Sequence, residues 1–286
     1  MGFLRRHYSI IFSFLLMLFT FRFIYSQPSS DEKLIQHCIN ATQKLFEIQE
    51  KVKDIHPFLA ELHPIVIVEN DQFYIFNYDS AKNSYTFIKK QPVPFPIPSG
   101  VKASFPVNGC PSCVVTEKIF NSMNGYVTIL HEFMHCTQAE NCEYDLKKKL
   151  ILGRKGYENK DPSWELNHPF PYDNPEFVKI YSEFMGALDN NDKEEIIQCR
   201  QQLRNILNQA DFEYMVWLEW KEGFARLIEN RLQKRLNLNV NTYGSEKPYN
   251  RVTFYVGGSK LIKYLGGEDN RLFTNIELLF EKMMIL

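Results

Sequence analysis

The sequence predicts an α+β fold: a small, mostly antiparallel sheet near the N-terminus, a central helix, and a helical C-terminal half. Three observations carry this. Between residues 65 and 88, three short runs rich in β-branched and aromatic residues read with a period of two. From residue 174 onward the apolar residues recur at helical spacing. Between these regions, Val127 to Gln138 contains no Pro or Gly and reads as one buried helix.

The chain has 286 residues, enough for one large domain or two small ones, and its 44% hydrophobic and 23% charged content is that of a globular protein. A formal charge of −1 gives no basic excess for nucleic acid and no acidic tail. Arg5, Arg6 and His7 precede an apolar run from Ile10 to Phe21, too short to span a bilayer but suited to a signal-peptide core. Residues 1–26 are therefore expected to be a signal peptide ending at Ser26, and the protein to be secreted or periplasmic. The alternative is a segment retained as a membrane anchor. Cleavage leaves 30 basic against 34 acidic residues, a balance of −4. Export makes Cys38, Cys110, Cys113, Cys136, Cys142 and Cys199 candidates for disulfides of open connectivity. Cys110-Pro-Ser-Cys113 lacks a second C-x-x-C, so structural bridges are expected rather than a zinc knuckle.

The elements follow in order. Ser30 or Asp31 caps a helix to about Ile55, and Ile65–Val68, Gln72–Phe76 and Tyr85–Ile88 form a meander. Pro92, Pro94, Pro96 and Pro98 make an extended connector that marks a subdomain edge. Residues 27–99 are thus the upper part of the domain and 100–286 its mostly helical remainder. Residues 100–118 read as irregular with one short strand near Val114–Thr116, placed as an edge strand beside the central helix. Residues 151–173, with two glycines and three prolines, read as a long loop carrying His168 as an ordinary loop histidine. Helices are expected over about 174–188, 192–209, 211–236, 252–265 and 271–284.

The central helix carries His131-Glu132-x-x-His135. Residues four apart on a helix lie ~40° apart around the axis and ~6 Å along it, so both imidazoles reach one metal ion. Glu132 lies between them, placed to accept a proton from a metal-bound water. The bland alternative is a pair of core histidines with an ion-paired glutamate. A catalytic zinc site needs a third ligand. A third histidine six residues past His135 is excluded, because that position is Asn141. The run Trp217 to Arg226 offers two glutamates on one helical stripe. Glu222 is the expected ligand, because Gly223 beside it implies close helix approach at a cost of about 1 kcal/mol relative to alanine; Glu219 is the alternative.

His131-Glu132-x-x-His135 followed by Glu222-Gly223-x-Ala225 resembles the gluzincin branch of zinc metallopeptidases, the thermolysin-like enzymes, and Tyr255-Val-Gly-Gly is similar to a later helix of that group. The resemblance spans roughly residues 120–265. It implies a zincin-like catalytic domain, a Zn²⁺ held by His131, His135 and Glu222, and peptide-bond hydrolysis with Glu132 as general base. Tyr255, Tyr249 and Arg251 are the candidates for stabilising the oxyanion. One position departs from the family pattern. An aspartate that orients a histidine is expected four residues after the glutamate ligand, and Arg226 stands there. Support for the ligands is then expected from Glu219, Glu183 or Glu229, with Arg226 adjoining. A peptide or protein substrate is the implied partner. Two other classes remain: a catalytically silent zincin-like binding protein, and a disulfide-braced secreted interaction protein with a chance motif.

Overall fold

A computed structural model describes residues 29–286. The expected signal peptide lies outside the described residues. Chain contacts separate the stretch up to His37 from a compact unit, Cys38–Leu286. Among the described residues no helix is long and apolar enough to cross a membrane. The expected α+β class with a mostly antiparallel sheet holds.

Helix α1 (Ser30–Val52) leads to strands β1 (Ile65–Glu69), β2 (Gln72–Asp79), β3 (Ser84–Pro92), β4 (Lys102–Val107) and β5 (Cys110–Val115). They form one sheet in the order β3-β2-β1-β5-β4. The β1–β5 pair is parallel and the others are antiparallel. Residues 27–99 and 100–286 therefore share one sheet. Register sorts the side chains onto two faces. Val66, Ile75 and Val114 share one face. There they form a small core with Phe73 and Val107, covered by Val93, Ile97 and Val101 of the proline-rich connector. That connector roofs the sheet rather than dividing subdomains, because its apolar residues alternate with the prolines.

The reading of residues 100–118 is corrected. They form a hairpin, and Val114 and Val115 lie on an inner strand paired on both sides, with β4 at the edge. The turn is Asn108-Gly109, with φ of 52° and 82°. Two successive positive φ values suit the tight turn whose twist matches that of the strands.

Helix α2 (Met123–Gln138) carries the histidines and packs against β5 and β4. Ser122 caps it, accepting a hydrogen bond from the Gly125 amide at 3.1 Å. A Cβ on Gly125 would lie 1.7 Å from the Ile119 carbonyl oxygen, so only glycine fits that entry. A π-turn, Ala139–Glu143, joins α2 to α3 (Tyr144–Lys149). The expected loop over 151–173 contains α4 (Ile151–Asn159) and α5 (Trp164–Asn167). Gly153 sits inside α4 because a Cβ there would lie 2.0 Å from the Lys147 carbonyl oxygen. Its glycine reflects close packing, not a loop.

Helices α6 (Pro175–Asn190), α7 (Lys193–Ile206), α8 (Gln209–Arg235), α9 (Thr253–Glu268) and α10 (Ile276–Ile285) complete the chain. Helix α8 is central: Trp217, Leu218, Trp220 and Phe224 are all fully buried, so its apolar residues surround it instead of forming a stripe. It packs against both α2 and α9.

All six cysteines are free, so the expected bridges are not formed. Cys110 and Cys113 are three residues apart on β5 and therefore point to opposite faces, which rules out a bond between them. Burial pushes the Cys38 and Cys142 thiols up to about 12, so both are protonated at neutral pH.

Candidate metal centre

Helices α2 and α8 bring His131, His135 and Glu222 together. One donor atom from each lies within 4.8 Å of the other two. The two imidazole Nε2 atoms are 3.2 Å apart. His135 Nε2 is 3.5 Å from Glu222 Oε2. Tetrahedral donors at ~2.0–2.1 Å from one ion are separated by roughly 3.3 Å, so these spacings suit a shared zinc-sized cation.

The other ring nitrogens show why the Nε2 atoms face each other. His131 Nδ1 lies 3.0 Å from Glu229 Oε2. His135 Nδ1 lies 2.9 Å from Gln138 Oε1. The Gln138 amide nitrogen donates to the Lys221 carbonyl at 3.1 Å, which fixes its oxygen as the acceptor toward His135. Each Nδ1 therefore carries the proton, and both Nε2 lone pairs point inward. Two lone pairs at this distance repel unless a proton or a metal cation lies between them. The donor set fits a metal ion on this ground.

Electrostatics agree with the geometry. Burial opposes charge on His135, but the Glu222 and Glu132 carboxylates outweigh it and push the imidazole up to about 9, so its Nε2 position favours a cation, whether proton or metal. Burial likewise opposes charge on Glu222, yet the neighbouring imidazoles and Arg251 hold its carboxyl well below the ordinary range. Glu132 differs. Burial pushes its carboxyl above the usual value, and it makes no hydrogen bond to another described residue. It lines the cleft beside the histidines.

Glu229 supports His131 from the far side of the ring. Its Oε2 also meets Arg226 Nε at 3.3 Å, and its Oε1 accepts from Asn241 Nδ2 at 3.0 Å. Arg226 also donates to the Asn241 and Tyr243 carbonyls at 3.3 and 3.2 Å. Arg226 therefore orients Glu229, and Glu229 orients His131. Gln138 was not anticipated. It stands three residues past His135 on the same helix, and that spacing was the available signal.

The other candidate residues divide between the cleft and positions away from it. Glu219 is fully buried away from the centre, accepting from Arg200 at 2.7 Å and from Tyr181 OH at 2.9 Å. It faces away because three residues of helix turn it roughly 60° from Glu222. Glu183 is exposed on α6, grouped with Glu195 and Cys199 rather than with the histidines. Tyr249 turns to Ser182, their hydroxyls 2.7 Å apart, and does not line the cleft. Tyr255 and Arg251 do line it: Arg251 donates to Glu222 Oε1 at 3.3 Å and lies 5.3 Å from the Tyr255 ring centre. His168 pairs with Asp211 at 2.6 Å, away from the centre.

Gly223 has a packing reason, although its neighbour is α9 rather than α2. A Cβ on Gly223 would lie 2.7 Å from the Gly258 backbone, and one on Gly258 would lie 2.1 Å from the Glu219 carbonyl oxygen. The two glycines let α9 seat against α8, which brings Tyr255 over Glu222.

The centre opens into a cleft of about 1300 Å³. Lys102, Ser104 and Pro106 of edge strand β4 form one wall, and Glu222, Arg251 and Tyr255 lie across it. Beneath, Lys221 and Lys147 neutralise Glu143 and Glu165 at 2.5–2.9 Å. Comparison with protein-family models, curated proteins and solved structures gives no match to this chain.

Proposed function

We propose that the protein is a zinc-dependent metallopeptidase of the gluzincin type, with a zincin-like catalytic domain and Glu132 as general base. One observation carries the reading: two imidazole Nε2 atoms 3.2 Å apart whose protons are committed to Glu229 and Gln138, with Glu222 completing the set. The five-stranded sheet above a histidine helix, with one free antiparallel edge over the cleft, supports the same assignment.

His131, His135 and Glu222 would hold the ion. A bound Zn²⁺ supplies Lewis acidity and lowers the pKa of water toward ~7. The remaining chemistry belongs to the chain. Glu132 takes the proton from the attacking water and delivers it to the amine nitrogen as the carbon–nitrogen bond breaks. Its raised affinity for a proton suits this shuttle. Arg251 and Tyr255 donate to the negative charge that develops on the carbonyl oxygen. Among the described residues the outer edge of β4 has no strand partner, so an extended substrate backbone pairs with it beside the centre.

Two variants test the reading separately. His135→Ala should remove zinc from the purified protein; equal zinc content in the variant and the parent overturns the metal assignment. Glu132→Gln should keep zinc and cleave a broad peptide library about 10²–10⁴-fold more slowly. Unchanged cleavage by Glu132→Gln overturns the base assignment. Absence of any chelator-sensitive cleavage by the parent protein leaves the silent binding protein as the answer.

A further inference from the structure

A second group of donors lies where the sheet meets the end of α2, and it is independent of the peptidase reading. One ring nitrogen of His63 and one carboxylate oxygen each from Glu61 and Glu140 lie within 4.8 Å of one another. His63 is only 3% exposed, and its ring packs edge-on against Phe133 at 5.4 Å. Such burial fixes the imidazole, while Glu61 and Glu140 reach it from the surface.

Its hydrogen bonds accommodate a tautomer with the proton on Nε2. Thr137 Oγ1 lies 3.3 Å from Glu61 Oε2 and 2.9 Å from His63 Nε2. A carboxylate only accepts, so in the tautomer that carries the proton on His63 Nε2 the hydroxyl oxygen accepts from that N–H and its single proton goes to Glu61. His63 Nδ1 is left as a lone pair, 3.5 Å from Glu140 Oε1. Two acceptors face each other there, in a ring orientation set by a hydrogen-bond relay through Thr137. Metal-bound histidines are held by the same kind of relay.

We propose that Glu61, His63 and Glu140 form a second metal site, which takes a divalent transition-metal ion of the zinc class through His63 Nδ1 and one oxygen of each carboxylate. The imidazole nitrogen selects against Ca²⁺, which takes oxygen ligands. The ion ties the segment entering β1 to the π-turn that follows α2. His63 is also joined to the sheet, since its carbonyl accepts from Tyr85 OH at 2.8 Å. The site therefore clamps the histidine helix to the sheet.

The test is zinc stoichiometry of the full chain after equilibrium dialysis against low-micromolar Zn²⁺. The parent should hold two ions per chain, Glu61→Gln/Glu140→Gln one, and His131→Ala/His135→Ala one. The Gln pair keeps oxygen acceptors and alters partly exposed side chains, so it folds. Loss of one ion in that pair is the decisive result whether the parent count falls from two to one or, should the His131 centre take no metal, from one to none. An unchanged count in the Gln pair overturns the proposal, as does uptake of Ca²⁺ in place of Zn²⁺. In the His131→Ala/His135→Ala background, zinc should raise Tm by several degrees; adding the Gln pair should abolish that rise, and a rise that persists contradicts the site.

Discussion

Replacing Glu229 by glutamine isolates the carboxylate that holds His131. Glu229 is 12% exposed and accepts from His131 Nδ1 at 3.0 Å. Burial opposes its charge, but His131, Asn241 and Arg226 outweigh that and hold its carboxyl at about 2. The group is therefore a carboxylate at every pH where the protein would work. A hydrogen bond to a charged acceptor contributes roughly 1.5–3 kcal/mol against roughly 0.5–1.5 for a neutral one. The substitution keeps the oxygen and removes the charge, so His131 loses about 1–2 kcal/mol of support. That corresponds to zinc binding weaker by about 5–30-fold, overlapping the lower end of the roughly 10–100-fold range for partners of metal-bound histidines. Competition with a chromophoric chelator measures it. A Glu229→Gln affinity within twofold of the parent would refute the claim that Glu229 orients His131.

Three further outcomes follow from the packing and charges. Glu219→Ala breaks a fully buried pair with Arg200 and should cost about 3–5 kcal/mol in urea unfolding while zinc stoichiometry stays unchanged; loss of zinc without loss of stability contradicts its placement. Gly258→Ala forces a Cβ against the Glu219 carbonyl and should destabilise by about 2–3 kcal/mol, whereas Gly186→Ala, with nothing near, should stabilise by about 0.5–1 kcal/mol. Burial opposes charge on Glu165, but Lys221 and Lys147 outweigh it and hold its carboxyl at about 2. A depressed carboxyl contributes stability above its ordinary value of ~4.3, lost as pH falls toward about 2, here roughly 2–3 kcal/mol. Urea midpoints at pH 6 and pH 3 should therefore converge in Glu165→Gln, and an unaltered pH dependence contradicts the pairing.

The legible parts of this chain are those whose chemistry is local. His131, Glu132 and His135 are read from one helical turn, and Glu222 from the glycine beside it. Gly223 was a sound marker of close approach, but a single residue does not say which helix approaches; the answer depended on Gly258, 35 residues later. Glycine misled elsewhere. Gly153 and Gly156 read as loop punctuation, whereas each makes room for a neighbour, the Lys147 carbonyl and the Trp164 ring. The β4–β5 hairpin was hidden by Pro106 and Pro111, although Asn108-Gly109 is a strong turn signal. Glu219 and Glu222 share a stripe in sequence, and only the surrounding helices decide that one pairs with Arg200 and the other with the histidines. The His63 group joins residues 61 and 140, a juxtaposition that no local pattern encodes.

The central claim is a zinc ion shared by α2 and α8. Diffraction from crystals of the zinc-loaded protein, recorded above and below the zinc absorption edge, tests it directly. An anomalous peak is expected about 2.0–2.2 Å from Nε2 of His131, Nε2 of His135 and a carboxylate oxygen of Glu222. A zinc-loaded crystal with no peak among these three residues, or with Glu222 turned away from it, contradicts a zinc ion shared by α2 and α8.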